Sequence, residues 1–387
     1  MQGKQRNAAG LFLLVFAFCL ALSTSAAFAE GQDAPELTAK SAVLMDENGV
    51  VLFEKNSHEK LPPASVTKAM TILLAVEAVE AGKVRLDDPV VASENAWRQG
   101  GSQIWLKSGE TMTYRELLTA LAVVSANDAA VAIMEHLYGS EAAAVAAMNE
   151  RAAALGLNDT HFANVNGLPT PNHYLSAHDT ARIVQEAVRH PLYMEVCGIK
   201  EYWLRGGKSW LVNTNKLLWW YEGADGLKTG WTEEAKYCFA GTAKRDGLRL
   251  ISVVFAAPQP RSHLKESMKL LDWGFARFKA LPVVKAGERV AELRVRRGKA
   301  ERIALVAASD LQVLLRKDEA DDALERQISL EEFAEAPLAA GQTCGRFVVW
   351  QGGEMRGAVD LVAAQDVEAA GFFDTLRAVF TKFFTVA

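Results

Sequence analysis

Two strand-forming regions, one before residue 55 and one after residue 236, bracket a helix-rich middle, and few folds accommodate that order. Residues 42–54 carry two apolar stretches around Asp46-Glu47-Asn48-Gly49, and the Asn-Gly pair at the tip predicts a β-hairpin. Residues 237–242 and 248–256 predict a second strand pair, joined through Arg245-Asp246-Gly247. Between them the apolar spacing predicts helices over residues 64–81, 114–138, 141–155 and 176–189. Pro62-Pro63 precedes the first, and Gly82, Gly156 and Pro191 supply stop signals. Another helix is expected over 267–278. Strands so far apart in sequence must meet in one antiparallel sheet covered by the helices, so the chain reads as an α+β layered fold.

Composition shifts after Pro282. Residues 283–362 alternate apolar and charged side chains, as in Val290-Ala-Glu-Leu-Arg-Val-Arg-Arg297, with Gly and Asp turns between runs. This divides the chain into a leader at 1–29, a first domain at 30–281, a small β-rich domain at 282–365 and a C-terminal amphipathic helix at 366–387. The leader has Lys4 and Arg6, an apolar run over residues 11–22 and a small-x-small end at Ala27-Phe28-Ala29, the marks of a secretory signal. That apolar run spans only about 18 Å, short of a hydrocarbon core roughly 30 Å thick. In residues 371–387, Phe372, Phe373, Leu376, Val379, Phe380, Phe383 and Phe384 follow helical spacing. Asp374, Arg377, Thr381 and Lys382 take the opposite face, which predicts a helix lying in a membrane surface. The alternative is a helix docked on the protein's own core.

A formal net charge of −5 and a pI near 5.9 argue against nucleic acid as the partner. Cys19, Cys197, Cys238 and Cys344 are too few and scattered for a disulfide framework or a metal cluster, and no metal is expected. Loss of the leader leaves an odd number of cysteines, so at least one thiol is unpaired.

Ser65-Val66-Thr67-Lys68 opens the first predicted helix. Residues three apart share one helical face, so the amine reaches the hydroxyl. A serine becomes a useful nucleophile when a base takes its proton, and lysine serves as that base only as the neutral amine. Burial or a nearby second cation must therefore lower the Lys68 pKa. The helix N-terminus favours an oxyanion near Ser65. Two further Ser-x-x-Lys matches, Ser57-His-Glu-Lys60 and Ser262-His-Leu-Lys265, lie in polar or proline-cut surroundings. Only Ser65 precedes a long apolar helix that can bury its lysine.

Ser125-Ala126-Asn127 interrupts the otherwise almost wholly apolar stretch 117–133. Its polar groups either find partners within the helix or face a site, because an unpaired buried group costs about 1–3 kcal/mol. A second Ser-x-Asn, Ser93-Glu94-Asn95, shows that the pattern alone is common. Lys228-Thr229-Gly230 follows Asp225-Gly226 and precedes a predicted strand. A cation and a hydroxyl at a strand start, with glycine beside them, let a substrate strand lie alongside and give its carboxylate a partner.

In this order, the three motifs are those of serine β-lactamases and penicillin-binding proteins. The chain resembles the serine-type D-alanyl-D-alanine carboxypeptidases, the low-molecular-mass penicillin-binding proteins, over nearly all of its mature length. The likeness runs through Pro63-Ala-Ser-Val-Thr-Lys68, Ser125-Ala-Asn-Asp-Ala-Ala130, Asn213-Thr-Asn-Lys-Leu-Leu218 and Asp225-Gly-Leu-Lys-Thr-Gly-Trp-Thr232. The resemblance implies a transpeptidase-like first domain, no cofactor, and a peptidoglycan stem peptide ending in D-Ala-D-Ala as substrate. It also implies acylation by β-lactams and attachment to the outer face of the cytoplasmic membrane.

Residue by residue, the resemblance makes Ser65 the nucleophile and Lys68 its base. Ser125 relays a proton to the leaving D-alanine, Asn127 holds the substrate amide, and Lys228, Thr229 and Gly230 bind the end carrying the carboxylate. Backbone N–H groups of Ser65 and Trp231 form the oxyanion hole. The family commonly places an arginine where this chain has His263, with Arg261 two residues earlier, and either can be the carboxylate partner. A His263 imidazolium would make that affinity fall as pH rises past about 6.5. Two rivals remain at this point. A β-lactamase of the same fold needs a glutamate for deacylation, and residues 158–168 contain none. A wall-binding protein without activity would be suggested by loss of Ser65 or Lys68, and both are present.

Overall fold

A computed structural model of the chain describes residues 34–319, 324–372 and 374. The leader at 1–29, and residues 373 and 375–387 of the C-terminal helix expected over 366–387, lie outside the described residues; at that helix's expected start, Val367 and Ala369 instead form antiparallel bridges with Leu338 and Gly298.

Strands β1 (Ser41–Asp46) and β2 (Val51–Lys55) form the expected hairpin. Asp46 closes its turn by accepting from the Asn48 and Val50 amides at 3.0 and 2.7 Å. A 3₁₀ turn over Ala64–Thr67 leads into helix α1 (Lys68–Glu80). A short pair, β3 (Pro89–Val91) and β4 (Thr111–Thr113), encloses the small helix α2 (Glu94–Trp97). Helix α3 (Tyr114–Val123) starts on a capping box between Thr113 and Glu116, and α4 (Asn127–Tyr138) ends on left-handed Gly139. Ser140 and Ser176 cap α5 (Glu141–Ala154) and α6 (Ala177–Ala187).

Pro191, read as a stop, also opens a helix: it occupies the first turn of α7 (Pro191–Gly198). A hairpin of β5 (Glu201–Leu204) and β6 (Ser209–Val212) follows, then the short α8 (Leu217–Trp220). Strands β7 (Ala224–Thr232), β8 (Lys236–Arg245) and β9 (Leu248–Ala257) lead to α9 (Ser262–Arg277).

The main sheet is antiparallel with order β2-β1-β9-β8-β7. The N-terminal hairpin joins the C-terminal strands through β1–β9, from Ser41↔Phe255 to Asp46↔Leu250. Helix α1 has its residues from Lys68 to Val76 buried, so it is the central helix, with apolar neighbours all around it. Helix α9 packs against β9 and β8, beside the second core formed by Leu44, Phe239, Leu250 and Leu271. Its start at Ser262 corrects the expected start at Ser267 and puts His263 in its first turn.

One correction concerns the site directly. The helix expected across 114–138 is two helices, because Ser125 takes a left-handed backbone (φ 62°) and Ala126 is extended. Periodicity runs through this break because the flanking residues are apolar on both sides and buried in one core.

Past α9, strand Phe278–Val284 pairs with Leu311–Arg316. A sheet follows in the order 325–330, 343–351, 354–363, 302–307, 289–296, 334–335, around buried Leu305, Val349 and Leu361. Cys197 and Cys238 are buried and Cys344 is partly exposed, and all three are free thiols.

Candidate active site

Ser65 lies in the 3₁₀ turn and Lys68 is the first residue of α1, so the two side chains share a face as their spacing predicts. Lys68 Nζ is 2.8 Å from Ser65 Oγ and donates to the Asn166 carbonyl at 2.6 Å. Complete burial, reinforced by the nearby Lys228 charge, holds the Lys68 amine well below the ordinary lysine range. Its neutral form has a lone pair to take the Ser65 proton.

The turn under Ser65 is held by residues the sequence did not single out. The Thr67 hydroxyl donates to the Ala64 carbonyl at 2.8 Å and accepts from His173 Nε2 at 2.7 Å, while His173 Nδ1 accepts from the Ala163 amide at 3.0 Å. That is the neutral tautomer, and burial pushes the His173 pKa down to about 4. Gly167 packs on the same turn. A Cβ there would stand 1.9 Å from the Ala64 carbonyl oxygen, at φ 84°.

Lys228, Thr229 and Gly230 lie in the middle of β7, a correction to the expected strand start, and β7 is an edge of the main sheet. Lys228 is buried, donates to the Thr229 carbonyl at 2.9 Å, and burial lowers its pKa to about 8. The Thr229 hydroxyl donates to Thr214 Oγ1 at 2.9 Å. A Cβ on Gly230 would be 2.9 Å from the Pro63 carbonyl oxygen and 3.0 Å from the amide nitrogens of Ser65 and Val66. Only glycine allows β7 to run this close to the nucleophile turn.

Across from β7, the buried Ser125 hydroxyl has no hydrogen-bond partner among the described residues. Asn127 Nδ2 donates to the Gly100 carbonyl at 2.6 Å, leaving Oδ1 unpartnered. The next residue, Asp128, accepts from the Ile104 and Leu106 amides and pins the loop before β4 to α4. These two unpaired polar atoms fit a site better than a helix whose polar groups are internally satisfied.

A cleft of about 410 Å³ joins Ser65, Ser125, Thr229 and Gly230 to Arg261 and His263. His263 stacks on Tyr237, with centroids 5.5 Å apart and 19° between planes, and burial pushes its pKa down to about 4. Near neutral pH it is uncharged, so the imidazolium expected to weaken past pH 6.5 is absent there. Arg261 holds a left-handed backbone (φ 66°) with its guanidinium over Trp220 at 5.9 Å. The two other Ser-x-x-Lys serines are occupied elsewhere: Ser57 donates to Glu54 at 2.7 Å and Ser262 to the Gln259 carbonyl at 2.6 Å. Among the described residues, three metal-type donors converge at Glu77, Glu186 and His190. Arg151 bridges the two carboxylates at 2.6 and 2.7 Å, so that cluster is a salt-bridge network.

A serine hydroxyl 2.8 Å from a buried lysine amine, in a cleft beside an open strand edge, fits a serine acyl-transfer enzyme. Comparison with known proteins narrows the class. The D-alanyl-D-alanine carboxypeptidase family profile matches residues 28–259, and that of the C-terminal domain of penicillin-binding protein 5 matches 278–369. The chain is 40% identical over 376 residues to D-alanyl-D-alanine carboxypeptidase DacF of Bacillus subtilis, covering 95% of each chain. It is 33% identical to DacC of Escherichia coli, over 95% of this chain and 92% of that one. Penicillin-binding protein 5 from Haemophilus influenzae superposes with a TM-score of 0.73 at 34% identity, covering 87% of this chain and all of that one. Penicillin-binding protein D2 from Listeria monocytogenes, in an ampicillin-bound form, superposes with a TM-score of 0.58 at 32% identity, over 63% of this chain and all of the other. The chain belongs to the D-alanyl-D-alanine carboxypeptidase family of serine peptidases.

Proposed function

We propose that the chain removes the terminal D-alanine from peptidoglycan stem peptides ending in D-Ala-D-Ala, through an acyl-enzyme on Ser65. The observation that carries this is the 2.8 Å approach to Ser65 Oγ of a buried Lys68 whose proton affinity burial lowers. The substrate backbone lies along the β7 edge, with its carboxylate toward Thr229, Lys228 and the rim. Lys68 takes the hydroxyl proton as Ser65 Oγ bonds to the carbonyl carbon between the two D-alanines. The N–H groups of Ser65 and Trp231 stabilise the resulting oxyanion. Collapse of this intermediate breaks the C–N bond. Lys68 hands the proton it took to Ser125, which, with Lys228 behind it, passes one to the departing amine, so both end as they began, and Asn127 Oδ1 holds the substrate amide. Water then attacks the ester, giving one proton to Lys68, which passes it to Ser65 Oγ as the shortened peptide leaves.

Arg261 supplies the outer charge for the carboxylate, because it lines the cleft on a strained backbone while His263 is neutral. β-Lactams acylate the same serine. A β-lactamase of this fold is the lesser reading, since residues 158–168 offer no deacylating glutamate. The peptidase unit at 30–281 is followed by the β-rich unit at 282–365. The leader at 1–29 supports export, and the phenylalanine-rich residues 371–387 support peripheral attachment at the outer face of the cytoplasmic membrane.

Covalent labelling with a fluorescent penicillin tests the nucleophile. Ser65→Ala is expected to abolish labelling, and labelling at the wild-type rate would remove Ser65 from the role.

A further inference from the structure

Beside the cleft, the surface carries exposed indoles that the reaction above does not use. Trp203 and Trp210 face each other across β5–β6, with centroids 6.1 Å apart and planes 21° apart, and are 59% and 55% exposed. Trp105, in the loop before β4, is 77% exposed and has a left-handed backbone (φ 54°). Arg205 at the hairpin turn donates to the Ile104 carbonyl at 2.9 Å and to Glu110 at 2.8 Å, clamping the hairpin to the Trp105 loop.

Contacts also lead from this hairpin to the cleft. The Lys200 carbonyl, just before β5, accepts from the Asn213 amide at 2.8 Å. The ammonium groups of Lys200 and Lys216 lie 5.9 and 4.7 Å from the Trp219 ring centre. Lys216 and Trp220 themselves line the cleft.

A cross-strand aromatic pair stabilises a two-stranded ribbon by roughly 0.2–1 kcal/mol, which accounts for Trp203 and Trp210 in part. It leaves Trp105 unexplained, since that ring lies outside any strand, mostly in solvent, on a backbone that costs about 1–3 kcal/mol to hold.

We infer that Trp105, Trp203 and Trp210 form a binding platform for the amino-sugar strand to which the stem peptide is attached. Indole faces stack on the C–H faces of sugar rings, and a peptide held in the cleft brings its own glycan to the rim. The inference rests on the stem peptide being the substrate. A lipid surface is the competing occupant, and the vesicle arm of the test separates it from glycan.

The test compares the full mature chain with Trp105→Ala and Trp203→Ala on two substrates, a short acyl-D-Ala-D-Ala peptide and uncross-linked polymeric peptidoglycan. Sedimentation with peptide-free glycan strands and with anionic phospholipid vesicles is measured alongside. Expected are unchanged kcat/KM on the short peptide, a fall of about fivefold or more on the polymer, and weaker glycan sedimentation. Trp105→Ala leaves the hairpin's own ring pair intact, so it separates binding from hairpin stability. Equal losses on both substrates, no loss on either, or a loss confined to vesicles would overturn the platform. A wild-type chain inactive on the short peptide would instead overturn the reading of the reaction.

Discussion

Lys68 and Lys228 are two fully buried amines close enough that the charge on Lys228 lowers the proton affinity of Lys68. The pair divides its labour by protonation state. Lys68, held well below the ordinary lysine range by burial and by the Lys228 charge, is the better placed of the two to take a proton, while Lys228, lowered to about 8, is charged below that pH and neutral above it.

The first expected outcome concerns alkaline pH. As pH rises through about 8, Lys228 loses its charge and the substrate carboxylate loses a partner, so KM should rise. Lys228→Arg should hold its charge to higher pH and flatten that rise, whatever it costs in rate. A wild-type KM that stays constant from pH 7 to pH 9.5 would exclude Lys228 as the titrating group.

Gly230→Ala should damage catalysis without unfolding the chain. The added methyl meets the Pro63 carbonyl and the Ser65 and Val66 amides, all backbone atoms, so β7 and the nucleophile turn must separate. Misplacing one oxyanion donor costs about 10²–10³ in kcat. Stopped-flow acylation by a chromogenic cephalosporin, alongside a melting curve, checks this. Acylation within twofold of wild type would mean that the close approach is not needed.

At the cleft rim, Arg261→Ala should raise KM for a D-Ala-D-Ala peptide by about tenfold, the loss of one charged hydrogen bond. His263 is neutral, so between pH 6 and 7.5 the wild-type KM should be nearly flat. Steady-state kinetics at pH 6 and pH 7.5, below the Lys228 titration, decide it. A KM that climbs across pH 6.5 in the Arg261→Ala variant would return the role to His263.

Stability should fall in acid through two histidines. His173 and His263 have folded-state values of about 4 against an ordinary 6.5, both lowered by burial. The unfolded chain therefore binds protons first as pH drops. The stability is fully present above pH 6.5 and is lost towards pH 4, by up to about 3 kcal/mol for each ring. His263→Gln should flatten this slope in urea titrations. An unchanged slope would mean that the ring is open to protonation in the native state.

Truncation after Ala370 should release the protein from membranes and keep peptidase activity. Each buried phenylalanine contributes about 1.5–3 kcal/mol, and residues 371–387 contain five. Fractionation of cells expressing either length reads this out. Equal membrane association would assign those residues to packing on the protein.

Much of the fold could be read because its elements obey local rules. The Asn48-Gly49 turn, and Gly82 and Gly156 after their helices, mark real boundaries. The break at Ser125 could not be read, since the left-handed residue that causes it is flanked by apolar side chains that satisfy helical periodicity on both sides. The β5–β6 hairpin was missed for the opposite reason: four residues per strand give too little alternation to see. At the site, Ser65 and Lys68 could be paired because one helical turn joins them. His173, 106 residues from Thr67, meets it only through tertiary packing, and no spacing marks that contact.

The three thiols of the described residues differ in how far an oxidant can reach them. Cys197 and Cys238 are sealed in the core, and burial pushes both up to about 12, so almost no thiolate exists at neutral pH. Disulfide exchange needs that anion, which makes both positions inert to oxidants while the fold is closed. Among the described thiols, partly exposed Cys344 is the one that an oxidant in solution can reach without the fold opening.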